Sequence, residues 1–88
     1  MRLDLALVRL RFVKTRGLAR SLVESGHLRV NGRRIDHASH AVRIGDVLTI
    51  PRGASVVVAE IVAIPERRGP PAEAQSCYRV LDQNKRPT

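Results

Sequence analysis

Residues Thr15–Ile35 read TRGLARSLVESGHLRVNGRRI, and the periodicity of this stretch changes halfway along it. Up to Glu24 the apolar residues Leu18, Ala19, Leu22 and Val23 recur at helical spacing and predict the buried arc of a helix. From His27 onward, Leu28 and Val30 alternate with polar residues at the period of a strand. Thr15 has the side chain of an N-cap, whose oxygen can accept a bond from an unpaired amide one turn in. Gly26 is a natural C-terminal stop because it tolerates the left-handed conformation. Asn31-Gly32 is a strong signal for a two-residue hairpin turn.

Working outward, Leu3, Ala6, Leu7 and Leu10 make one apolar stripe and predict a short helix over residues 3–11, with Arg11–Lys14 as the connection to the next. Downstream, Ile44-Gly45-Asp46 reads as a turn into a strand over Val47–Ile50. Pro51-Arg52-Gly53 reads as another turn, and Val56–Ile64 as a long strand rich in β-branched residues. Helix, helix, then strands predicts an α+β domain over residues 1–64, with two N-terminal helices packed on one face of a small antiparallel sheet. Residues 65–88 are expected to form a C-terminal tail. Pro71 could open a short helix over Ala72–Leu81, and Asp82–Thr88 is expected to be disordered.

The net charge is +8, and nearly all of it lies at one end. Residues 1–34 carry nine of the sixteen Lys and Arg but only two acids, Asp4 and Glu24, so this third of the chain holds +7 and the remainder +1. A general preference for Arg over Lys would not deplete acids from one segment. The asymmetry therefore predicts a surface that meets a polyanion. Its focus is Arg11–Arg20, where Arg11, Lys14, Arg16 and Arg20 fall on a helix end, a connection and the next helix. Arg16 and Arg20, four residues apart, stack on one ridge beside the apolar arc. Thr15 adds a hydroxyl at a helix N-terminus, where unpaired amides and the helix dipole favour phosphate. Arg29, Asn31 and Arg33 should project from the polar side of the first hairpin strand and extend the patch, and Arg2 and Arg9 complete the candidate set.

Other chemistry finds little support in the sequence. There is no phosphate-binding loop, dinucleotide fingerprint or nucleophilic grouping, and 88 residues leave little room for a substrate pocket, so a non-catalytic protein without cofactor is expected. His37 and His40 invite a metal reading, but zinc needs three or four ligands and only Asp36 and the distant Cys77 are candidates, so no metal site is expected. One cysteine excludes an intrachain disulfide and suits a reducing compartment. No apolar run approaches the ~18 residues of a membrane span, and Asp4, Arg9 and Arg11 interrupt any signal-like N-terminal segment. A cytoplasmic monomer is the expectation, without membrane or small-molecule partner.

Arg2-Leu3-Asp4, Arg11-Phe12-x-Lys14-Thr15-Arg16, Gly26-x-Leu28-x-Val30-Asn31-Gly32 and Gly45-Asp46-Val47-Leu48 follow one another as in the RNA-binding domain named after small-subunit ribosomal protein S-four. The chain resembles most the stand-alone, ribosome-associated heat-shock protein fifteen group of that family. The resemblance implies two helices against a small bent antiparallel sheet, and structured RNA, usually ribosomal, as the polyanion. For the heat-shock group it further implies a large-subunit partner and a ribosome-rescue role. Carried over by position, the implied contacts are Arg2, Arg11, Lys14, Thr15, Arg16, Arg20, Arg29 and Asn31. Two other readings of the charge stay open: a DNA-binding protein using a helix-turn-helix-like surface, and a basic protein-interaction module docking on an acidic partner. With two aromatic residues in the chain, base stacking is not the expected mode.

Overall fold

In the computed structural model of the chain, which describes residues 1–82, helices α1 (Leu3–Arg9) and α2 (Arg16–Glu24) precede a five-stranded antiparallel sheet. Its strands are β1 (Arg29–Val30), β2 (Arg33–Arg34), β3 (Val47–Arg52), β4 (Ser55–Ile61) and β5 (Tyr78–Asp82), in the spatial order β2-β1-β3-β4-β5, with a short helix α3 (Pro71–Gln75) before β5. This is the expected α+β class.

The hairpin forms because Asn31 and Gly32 both take positive φ, 53° and 81°, which matches the twist of the flanking strands. Asn31 also fixes the hairpin to the sheet: its Oδ1 accepts from the Val47 amide at 2.9 Å and its Nδ2 donates to Asp46 at 3.1 Å. Thr15 caps α2 as expected, accepting from the Leu18 amide at 3.1 Å, and Gly26 ends it at φ 81°. The core lies between the helices and one sheet face, where Leu3, Leu7, Leu10, Ala19, Val23, Leu28, Val30, Leu48, Ile50 and Ile61 are buried.

Four local expectations are corrected. α1 stops at Arg9 rather than residue 11, because Arg11 turns left-handed at φ 64°. The Arg11 amide then bonds the Val8 carbonyl, and the Phe12 amide bonds that of Leu7, so the carbonyls at the helix end are satisfied without the usual glycine. Leu18 is 54% exposed, so the buried arc of α2 is narrower than its leucines suggest and runs through Ala19 and Val23. β3 continues through Pro51, expected in a turn; β1 pairs only as far as Thr49, so Pro51 sits where one side of the strand lacks a β1 neighbour.

The fourth concerns the segment expected to be helical through Leu81. Its helix ends at Gln75, and Tyr78–Asp82 pairs with β4 instead. The Tyr78 ring packs on Phe12 with centroids 4.6 Å apart, and Cys77 is buried in the core, where its carbonyl accepts from the Val62 and Ala63 amides. Of the stretch Asp82–Thr88 expected to be disordered, Asp82 ends β5, and residues 83–88 lie outside those described.

Candidate nucleic-acid interface

The N-terminus of α1 has no capping side chain on Arg2, and its amides are satisfied from elsewhere. Leu3 donates to the His40 carbonyl at 2.8 Å and Asp4 to that of Ala38 at 3.2 Å, while the Leu5 amide donates to the Asp4 carboxylate at 2.7 Å. This stitching buries Asp4 to 1% exposure at the root of the basic surface.

A buried carboxylate needs partners, and two of the expected contact residues provide them. Arg2 reaches it bidentately, Nε to Oδ1 at 3.1 Å and Nη2 to Oδ2 at 3.0 Å, and Arg16 adds Nε to Oδ2 at 3.2 Å. Burial pushes the Asp4 carboxyl upward, but hydrogen bonds from Arg2, Arg16 and the Leu5 amide outweigh it and hold the group below the ordinary carboxylate value. The same contact raises the Arg2 guanidinium above its usual value. One internal anion therefore orients two arginine side chains that remain about half exposed.

Arg16, Gly17, Arg20 and Asp4 line a shallow groove of about 220 Å³ over the first turn of α2. Gly17 keeps this turn bare, since a Cβ added there would meet only the Thr15 hydroxyl oxygen, at 4.0 Å. Arg20 leans toward Glu24 one turn on at 3.9 Å, a solvent-exposed pair of little strength. Lys14 and Thr15 are exposed at the same helix end.

The other expected residues are disposed differently. Arg9 donates to the Pro65 carbonyl at 3.3 Å and Arg11 to that of Gly69 at 2.7 Å, so both tie the segment before α3 to the end of α1. Asn31 uses both side-chain polar atoms on Val47 and Asp46. Arg29 and Arg33 do not share a face, contrary to expectation: in the hairpin register Arg29 lies opposite Arg34, and Arg33 opposite the buried Val30. Arg29 bonds the Gly32 carbonyl within the turn at 3.2 Å. The structure thus gathers Arg2, Lys14, Thr15, Arg16 and Arg20 around the start of α2, engages Arg9, Arg11, Arg29 and Asn31 in bonds to other segments, and carries Arg33 on β2.

Asp4 entered the sequence reading only as an acid in a basic segment and as part of the Arg2-Leu3-Asp4 motif, without a role, and Gly17 did not enter it. The signal for Asp4 was present, because an acid between Arg2 and Arg9 in the most basic part of the chain requires a reason. Among the described residues, no three His, Cys, Asp or Glu side chains converge as a metal site would require, and no helix is long and apolar enough to cross a membrane.

Comparison with known proteins places these residues in a wider context. The S4 domain profile matches residues 1–48. The small ribosomal subunit protein uS4 of Rhodopseudomonas palustris is 35% identical over 86 residues, covering 96% of this chain and 39% of that protein. Its counterpart in Fusobacterium nucleatum is 41% identical over 71 residues, covering 81% of this chain and 36% of its own length. The chain thus spans well under half the length of these relatives. Among solved structures, trimeric heat shock protein 15 of Vibrio cholerae superposes with a TM-score of 0.85 at 40% identity, over 91% of this chain and 80% of that one.

Proposed function

The chain belongs to the S4-domain family, and from that premise we propose that it is a non-catalytic, ribosome-associated protein that binds structured RNA through the surface around the start of α2. The observation that carries this reading is the buried Asp4 carboxylate, which holds Arg2 and Arg16 beside the bare turn at Gly17 and the exposed Arg20. Fixed guanidinium groups over a shallow groove suit phosphates and 2′-hydroxyls on the surface of an RNA helix, whose deep groove is closed to side chains. Lys14 and Thr15 extend the contact, while Arg29 and Arg33 reach RNA that continues past the hairpin. Arg9, Arg11 and Asn31 serve by holding the surface in place.

The likeness to uS4 and to heat shock protein 15 supports ribosomal RNA as the target. We assign the large subunit, a rescue role there and a cytoplasmic location to this chain. One copy carries the whole α2 surface, so a monomer is the proposed binding unit. Sedimentation of the protein with and without RNA tests that point, and a trimer such as that of the Vibrio protein would revise it.

The decisive test is Arg16→Ala combined with Arg20→Ala, assayed on a ribosomal RNA fragment. If about five phosphates are neutralised, log K falls with log salt with a slope of roughly −3.5 to −4.5. The double variant should bind roughly tenfold or more weakly, with a shallower slope, and should melt a few degrees lower, because the buried Asp4 carboxylate loses its bond from Arg16. Unchanged affinity and slope in the folded variant would sink the assignment. Tighter binding to duplex DNA at equal salt would favour the helix-turn-helix alternative. Ribosome association that survives nuclease would favour the protein-docking one.

A further inference from the structure

A second groove, of about 470 Å³, opens between the β1–β2 hairpin and the segment that leads into β3. Its polar lining includes Asn31, Arg33, His37, His40, Arg43 and Asp46. Asp46 is occupied by the fold, one carboxylate oxygen accepting from Asn31 at 3.1 Å and the other from the Arg43 amide at 3.0 Å. The two imidazole rings meet edge to face with centroids 5.5 Å apart. Outside the groove wall, Asp36 approaches His37 Nδ1 at 3.5 Å. The backbone here is firmly placed, since the His40 carbonyl accepts from Leu3 and Ala41 forms a bridge with Arg2.

We propose that this groove is a second phosphate-binding site, that it takes phosphodiester groups of the bound RNA, and that it tightens as His37 and His40 gain protons. The proposal deepens the RNA-binding reading and rests on it for the identity of the ligand. Arg33 and Arg43 balance Asp46 and the neighbouring Asp36 while both imidazoles are neutral, and protonation of both leaves the groove with this neighbour at +2. Two imidazolium rings in contact repel, so the second proton is held best with an anion bonded to both. Anion binding and proton uptake are therefore linked, each favouring the other. The arginines around α2 do not titrate near neutrality, so this groove adds a pH dependence that the first surface lacks. His27 provides an internal reference: it lies outside the groove lining, 3.2 Å from the Ser25 hydroxyl.

The test has two arms, both on the full chain. In the first, NMR follows the three imidazoles through a pH titration, with and without pyrophosphate at constant ionic strength. The midpoints of His37 and His40 should rise by about half a pH unit more than that of His27. In the second, affinity for an RNA hairpin is measured at pH 5.8 and 7.8. The unmodified protein should bind roughly fivefold tighter at the lower pH. The His37→Gln, His40→Gln double variant should lose that gain, its affinity changing less than about twofold between the two pH values. Midpoints that move no more than that of His27, or a double variant that keeps the pH dependence, overturn the proposal. Pyrophosphate-dependent midpoints without RNA binding at either pH would uphold the groove as a phosphate site and remove the RNA reading instead.

Discussion

Asp4 does two things that are usually separate: it completes the fold at the start of α1 and it organises the exposed cations. Replacing it by Asn keeps the shape but leaves Arg2 and Arg16 a single neutral oxygen. The expected cost is about 2 kcal/mol, below that of a fully buried ion pair because both guanidiniums keep contact with water. RNA binding should weaken at the same time, although the substitution makes the protein more cationic, which a purely electrostatic account would not anticipate. The pH dependence has a definite sign. A carboxyl held below its ordinary value contributes fully above about pH 4 and loses that contribution as pH falls through the folded value. Urea melts between pH 2 and 7 should therefore show the stability gap between the unmodified protein and the Asp4→Asn variant closing on the acid side. In the sequence this residue is a member of the Arg2-Leu3-Asp4 motif and an oddity of charge, but its role is not legible, because its partner Arg16 lies twelve positions away and comes close only through the packing of α2 on α1.

The ends of elements were legible where one residue decides them. Thr15, Gly26 and the Asn31-Gly32 turn each act through a local backbone preference, and each behaves as read. Arg11 ends α1 in a conformation that favours glycine, a choice stabilised by its bond to Gly69, and nothing in the neighbouring sequence announces it. Leu18 misled because helical spacing places it on the arc, yet the core takes Ala19 and Val23 fully, Leu22 in part and Leu18 not at all. α2 also separates stability from binding at one position. Gly17→Ala should stabilise the helix by about 0.5–1 kcal/mol, since the added methyl has room. The same methyl intrudes on the groove between Arg16 and Arg20 and should weaken RNA binding roughly threefold or more. Thermal melting and filter binding on one variant read both effects, and a rise in both would remove Gly17 from the contact surface.

At the scale of the whole molecule, the C-terminal portion is more than an appendage. Ala72, Ala74, Tyr78 and Leu81 fit a helical pattern locally, but β4 offers an unpaired edge and Phe12 a ring to cover, and those long-range demands override the local one. We therefore propose that the folding unit extends to Asp82. A chain ending at Ile64 would lose β5 and the buried Cys77, bare the edge of β4, and deprive Arg9 and Arg11 of their carbonyl partners. It should melt at least about 10 °C lower than the full chain, and self-associate through the exposed strand. A truncated chain as stable as the full one would restore the boundary at residue 64.

Leu3 and Leu7 bury against a core that also holds Leu48, Ile50, Ile61 and Cys77, and this has a temporal consequence. Synthesis runs from the N-terminus, so Arg2, Arg16 and Arg20 emerge long before the strands that give α1 and α2 their floor. Until those strands arrive, Asp4 has no settled place in which to gather its arginines, and the basic segment is charge without form. The basic surface thus depends on strands that follow it in the sequence. A chain whose strands have not yet formed carries the same charges without their arrangement, so on the proposed function the strength of RNA binding reports that the sheet is in place.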